Sequence, residues 1–102
     1  MIDIIHVMKT SAPSLLPILR SDLQGEVMAL LFSHPEQQYT VSQIADATRA
    51  SLPTVSREVN RLNQSGLVTV QNVGRTRMVQ AKVDNPVGQA MRQLILVTYG
   101  PV

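Results

Sequence analysis

At 102 residues with a net charge of +2, the chain is the size of one small domain, and 3% aromatics leave its core to Leu, Val, Ile, Met and Ala. The absence of cysteine excludes disulfides, thiolate metal sites and thiol catalysis, and agrees with a reducing compartment. No run approaches the ~20 apolar residues of a membrane span. The opening MIDIIHVMKTSAPS also lacks the basic front of a secretory signal, so a cytoplasmic protein without membrane attachment is expected.

Residues 1–14 read ambiguously as a strand or a helical turn, broken at Thr10-Ser11-Ala12-Pro13-Ser14. Leu15, Leu16, Ile18 and Leu19 form an apolar patch interrupted by Pro17, too brief to stand alone. The first firm helix opens at Ser21, where Ser21 and Gln24 have the spacing of a capping box and Asp22 suits the first turn. Leu23, Val27, Leu30 and Leu31 make one apolar face, and His34-Pro35 ends it. After a loop over residues 36–39, a second capping box, Thr40 to Gln43, starts a helix over about 41–48 with Val41, Ile44 and Ala45 inward.

Ser51 is a fresh N-cap, and Pro53 sits in the first turn, where its missing N–H costs nothing. This third helix reaches about Ser65 and stops at Gly66. The apolar period then shortens to two. Residues 67–70 read as a strand, Asn72-Val73-Gly74-Arg75 as a turn and 76–83 as a second strand. Asn85-Pro86 caps a last helix with Val87, Met91, Leu94, Ile95 and Thr98 on one side, terminated by Gly100-Pro101.

Two short helices followed by a hairpin with a basic tip have the layout of a winged helix-turn-helix. In the third helix Leu52, Val55, Val59 and Leu62 share the face expected to be buried. The opposite face carries Pro53, Thr54, Arg57, Asn60, Arg61 and Gln64, with Glu58 on the flank beside a neighbouring arginine. Arginine forks suit guanine or phosphate, and Ser, Thr and Asn serve base edges or backbone oxygens. Residues near the helix start reach deepest, so Ser51, Thr54, Ser56 and Arg57 are the expected base readers and Arg61 a phosphate contact. At the hairpin tip Arg75, Thr76 and Arg77 form a basic wing, its two arginines directed to the same side and suited to a narrow minor groove or its phosphates. Charge follows the same division: residues 49–82 carry six basic groups against Glu58, and the rest carries three against six acids.

The stretch YTVSQIADATRASLPTVSREVNRLNQSGLV followed by VGRTRMVQAKVDNP resembles ArsR/MarR-like winged-helix transcription factors. Within these, Leu19-Arg20-Ser21-Asp22-Leu23-Gln24 and Leu94-Ile95-Leu96-Val97-Thr98-Tyr99-Gly100-Pro101 resemble the opening and closing motifs of a subgroup often fused to a nucleotidyltransferase domain. The likeness covers about residues 15–102. It implies sequence-specific binding of double-stranded DNA by a homodimer, with contacts from Ser51, Thr54, Ser56, Arg57, Arg61, Arg75 and Arg77. Whether a further domain accompanies this one is left open. The cysteine-rich site of the classical arsenic sensors is missing, so their inducer does not carry over.

The expected fold is therefore mainly α with a small β-hairpin, an α+β winged helix-turn-helix of three core helices plus wing, with added N- and C-terminal helices for dimerisation. Residues 1–102 form one DNA-binding domain: 1–20 an N-terminal segment for dimerisation, 21–83 the core and 84–102 the C-terminal helix. Pro53, Asn60 and Thr76 complete the expected DNA-facing set. No cofactor is expected, and with His6 and His34 far apart no metal site either; no residue identifies a small-molecule effector. No carboxylate pair, Ser/His/Asp set or phosphate-cradling loop points to an enzyme. The rival readings are a winged-helix protein-interaction module and a DNA-binding accessory to a nucleotidyltransferase.

Overall fold

The computed structural model of the chain describes residues 22–100. The elements are α1 (Asp22–Ser33), β1 (Tyr39–Thr40), α2 (Val41–Thr48), α3 (Leu52–Gln64), β2 (Val68–Val73), β3 (Thr76–Ala81) and α4 (Pro86–Tyr99). The expected N-terminal segment, the Ser21 cap of α1 and Pro101 lie outside the described residues.

Local capping chemistry sets most helix ends. Thr40 Oγ1 accepts from the Gln43 backbone N–H at 3.0 Å, and Gln43 Oε1 accepts from the Thr40 N–H at 2.9 Å, satisfying two donors that a helix start otherwise strands. Ser51 caps α3 and Asn85 caps α4, each followed by a proline in the first turn. Gly66, at φ 77°, turns the chain out of α3. The turn after α2 uses a left-handed residue too, but there the residue is Arg49, at φ 57°.

The sheet is antiparallel in the order β1-β3-β2. Val68 pairs with Ala81 and Val70 with Val79, while Tyr39 meets Val79 from the other side. Two-residue β1 replaces the end of the expected loop; it is too short to show an alternating pattern in sequence. The hairpin turn is also tighter than expected. β2 runs on to Val73, which pairs with Thr76, leaving only Gly74-Arg75 as the turn. Gly74 takes φ 64° while Arg75 does not go positive, the backbone of a type II′ turn.

One aliphatic core joins the layers: Val27, Met28, Leu31 and Phe32 of α1, Ile44 of α2, Val55, Val59 and Leu62 of α3, Val68 and Val79 of the sheet and Ile95 of α4. Two expectations for α3 are corrected. Leu52 is 50% exposed, because at the first helical position the apolar stripe runs past the edge of the core. Glu58 is not on the flank; it lies within the stripe, 4% exposed. α4 also differs. Ile95 is buried and Met91 partly so, but Val87 and Leu94 of the same expected side are exposed at 65% and 40%. Its docking is set instead by Gly88, where a Cβ would sit 1.8 Å from the Lys82 carbonyl oxygen.

Candidate nucleic-acid interface

The helix-turn-helix is built from α2 and α3 across the short turn at 49–51. Ala50 N–H bonds to the Ala45 carbonyl at 3.1 Å, closing α2. Ser51 then opens α3 by accepting from the Thr54 backbone N–H at 3.4 Å. Burial of Val55, Val59 and Leu62 fixes the roll of α3 and turns Ser51, Pro53, Arg57, Asn60 and Arg61 to the exposed side, with Thr54 and Ser56 half-buried beside them.

A chain of short-range bonds holds this surface. The Ser51 and Thr54 hydroxyls hydrogen-bond at 2.8 Å, and Arg57 Nη2 donates to Thr54 Oγ1 at 3.4 Å. Inside, Gln24 Nε2 of α1 donates to Glu58 Oε2, and Arg61 Nη1 pairs with Glu58 Oε1 at 3.2 Å. The Arg61 side chain remains 44% exposed, so one edge of its guanidinium is anchored and the other faces outward. Arg61 is thus a tethered cation, and α3 exposes no carboxylate.

The wing closes onto the same helix. Arg77, on β3, donates from Nη2 to Asn60 Oδ1 at 2.9 Å and from Nη1 to Ser56 Oγ at 3.5 Å. Arg75 lies in the turn rather than in a strand, so strand alternation does not align it with Arg77. It is exposed and has no partner among the described residues. Arg75, Thr76 and Arg77 form one wall of an open cleft of about 470 Å³; Pro53 and Ser56 of α3 and Ser42 of α2 face them. All ten expected residues therefore fall on α3, its N-cap or the wing. Arg77 is the bridge between the two.

Sequence reasoning missed three participants, Leu52, Val41 and Gln24. Leu52 and Val41 add an apolar floor to the cleft. Gln24 and Glu58 form the hidden anchor of Arg61; the Glu58–Arg61 spacing of three was visible, whereas Gln24 lies 34 residues away. Neither Tyr39 nor Tyr99 touches this surface chemically, although burial raises the pKa of both, with Glu36 adding to the rise for Tyr39 and Asp22 and Glu26 for Tyr99. No group of three His, Asp or Glu side chains among the described residues is placed to hold a metal ion. No helix there is long and apolar enough to cross a membrane.

Residues 26–70 match the family described as "Bacterial regulatory protein, arsR family". No curated protein matches the sequence. Among solved structures, MepR of Staphylococcus aureus, a transcription regulator of the multidrug efflux pump MepA, aligns with TM-score 0.69 and 23% identity over 92% of this chain and 69% of that one. A substituted MepR bound to an oligodeoxyribonucleotide aligns at 0.71 and 23%, over 94% and 70%. HlyU of Vibrio cholerae aligns at 0.65 and 18%, over 83% and 84%. The MarR family transcriptional regulator SPO1453 of Silicibacter pomeroyi aligns at 0.62 and 20%, over 78% of this chain and 54% of that one. Residues 26–70 thus resemble the helix-turn-helix of ArsR-family regulators, and the described residues share a winged-helix fold with MepR, HlyU and SPO1453.

Proposed function

We propose that the chain is a sequence-specific regulator of transcription that binds double-stranded DNA as a homodimer. In this reading α3 enters the major groove and the wing, residues 72–77, lies on the minor groove or its backbone. One observation carries the reading: Arg77 ties the wing to Asn60 and Ser56, gathering Arg75 and Arg77 beside a helix that exposes Arg57 and Arg61 and no carboxylate. Such a surface suits a polyanion along its whole length, with the cleft between Ser42, Ser56 and Arg75 suited to a phosphate. The transcription regulators that share the fold, one of them bound to an oligodeoxyribonucleotide, support the same assignment.

Dimerisation is supported by α4, which leaves Val87, Leu94 and Val97 exposed at 65%, 40% and 73%. A pair of copies joined there would set two α3 helices about 34–36 Å apart on a near-palindromic site. Association with a nucleotidyltransferase rests on the sequence motifs alone.

The test is a mobility shift against salt. If each protomer neutralises about five phosphates, log K falls against log salt with a slope of about −4.5 per protomer. A slope near zero overturns the reading. Sedimentation of the free and DNA-bound protein tests the dimer.

A further inference from the structure

The polar atoms of α3 are already committed to partners in a way that leaves mainly one polarity exposed. Arg77 Nη2 lies 2.9 Å from the Asn60 side-chain amide. A guanidinium has donors only, so the atom it faces must be the amide oxygen, and Asn60 presents its NH₂ group outward. Thr54 Oγ1 accepts from Arg57, and Ser51 Oγ accepts from the Thr54 N–H, while one hydroxyl proton is used between Ser51 and Thr54. That pair keeps one proton and one lone pair to offer. Ser56 Oγ accepts from Arg77 and likewise has a proton to give. Glu58, the one carboxylate of the helix, is buried against Gln24 and Arg61.

From Ser51 to Arg61, then, hydrogen-bond donors outnumber acceptors on the exposed side of α3. Base edges in the major groove differ in the opposite sense. Guanine presents two acceptors, N7 and O6; adenine presents an acceptor beside a donor; cytosine presents a donor. Bidentate reading of adenine by Asn60 needs its amide oxygen and NH₂ aligned together with the base edge, whereas the bond to Arg77 takes one of the two lone pairs of that oxygen and holds it toward the wing. Reading of cytosine is served best by a carboxylate, which the surface lacks.

Resting on the proposed DNA binding, we propose that α3 selects guanine through the Arg57 fork, and that Arg77 is a positioning residue which, by holding the Asn60 oxygen toward the wing, disfavours adenine among the bases this helix reads. A wing residue thereby shapes major-groove preference without touching a base.

The experiment is selection from a random duplex pool with the full chain, followed by binding to the selected duplex with single guanines replaced by 7-deazaguanine. A guanine shared by the two half-sites is expected, and removing its N7 should weaken binding about ten-fold. Selection with Arg77→Met, which keeps the stem and removes the donors, should enrich adenine at the position facing Asn60. A consensus without guanine, a 7-deazaguanine duplex that binds unchanged, or a folded Arg77→Met chain with the original consensus each overturns the proposal. The 7-deazaguanine comparison uses the unaltered chain and so holds even where Arg77→Met does not fold. Binding without any consensus sinks the guanine reading alone, whereas no retention of duplex at low salt removes DNA binding itself.

Discussion

Glu58 and Gln24 hydrogen-bond across the core between α3 and α1, each less than 10% exposed: 4% and 8%. A buried carboxylate is tolerated only when its desolvation is offset by charge-assisted bonds, and here Gln24 and Arg61 supply them. Glu58→Ala would leave the Gln24 amide with a lost acceptor and open a small void. We expect a loss of about 2 kcal/mol, read as a lower urea midpoint at unchanged slope. Glu58→Gln, which keeps the shape and one acceptor, should lose roughly half as much. Equal losses from both would show that the charge, rather than packing and hydrogen bonding, dominates.

Gly88→Ala sets two effects against each other. Alanine favours the helix by about 1 kcal/mol, yet its Cβ would meet the Lys82 carbonyl oxygen at 1.8 Å and the Val83 Cα at 2.9 Å. Both neighbours are backbone, so relief requires α4 to move off the end of β3, and overpacking of that kind costs about 1–3 kcal/mol. The net expectation is destabilisation with earlier proteolysis of α4. A more stable protein would mean that the approach of α4 to residues 82–83 is looser than described.

What could be read in advance and what could not divides by range. The Thr40–Gln43 box, the Ser51 and Asn85 caps and the Gly66 stop are interactions within four residues, and each helix boundary they imply is found. Leu52, Glu58 and the exposed Val87 and Leu94 escaped the same periodicity argument, because a stripe gives the azimuth of a side chain but not where the core ends. The placement of the ten singled-out residues on α3, its N-cap and the hairpin was legible from the element boundaries. The Arg77–Asn60 bridge was not, since it joins residues 17 apart through the sheet register.

Two left-handed positions carry opposite expectations. Gly74 at φ 64° has open space around it, so Gly74→Ala incurs only the backbone penalty, about 1 kcal/mol. Arg49 at φ 57° already bears that penalty. Arg49→Gly relieves it, at some cost in unfolded-chain entropy, for a net gain of a few tenths of a kcal/mol. Thermal unfolding of the pair checks the signs. If Arg49→Gly also lowers the salt slope of DNA binding by about one, Arg49 contributes a phosphate contact.

Stability should decline in alkali. Burial raises the folded-state pKa of Tyr99, with Asp22 and Glu26 adding to it, and burial raises that of Tyr39, with Glu36 adding. The folded chain therefore holds these protons after the unfolded chain, with tyrosines near 10, has released them. The stabilisation is full below that pH and is lost as pH rises through the folded values. Urea midpoints from pH 8 to 11 should fall at the upper end, and Tyr99→Phe should flatten part of the decline. A flat profile for the unaltered chain would contradict the assignment.

Arg57 and Arg61 share a helix face but differ in restraint, and that difference predicts distinct phenotypes on DNA. Arg57 is exposed and held only by a 3.4 Å bond to Thr54, leaving its fork able to align with a base. Arg61 has one edge fixed by Glu58 and can offer the other to a backbone oxygen. Arg57→Ala should narrow the gap between a selected and a scrambled duplex by about 1–3 kcal/mol. Arg61→Ala should weaken both duplexes alike and lower the salt slope by about one. Competition binding of the two duplexes at two salt concentrations separates these outcomes, and matching behaviour of the two variants would erase the distinction between base reader and phosphate anchor.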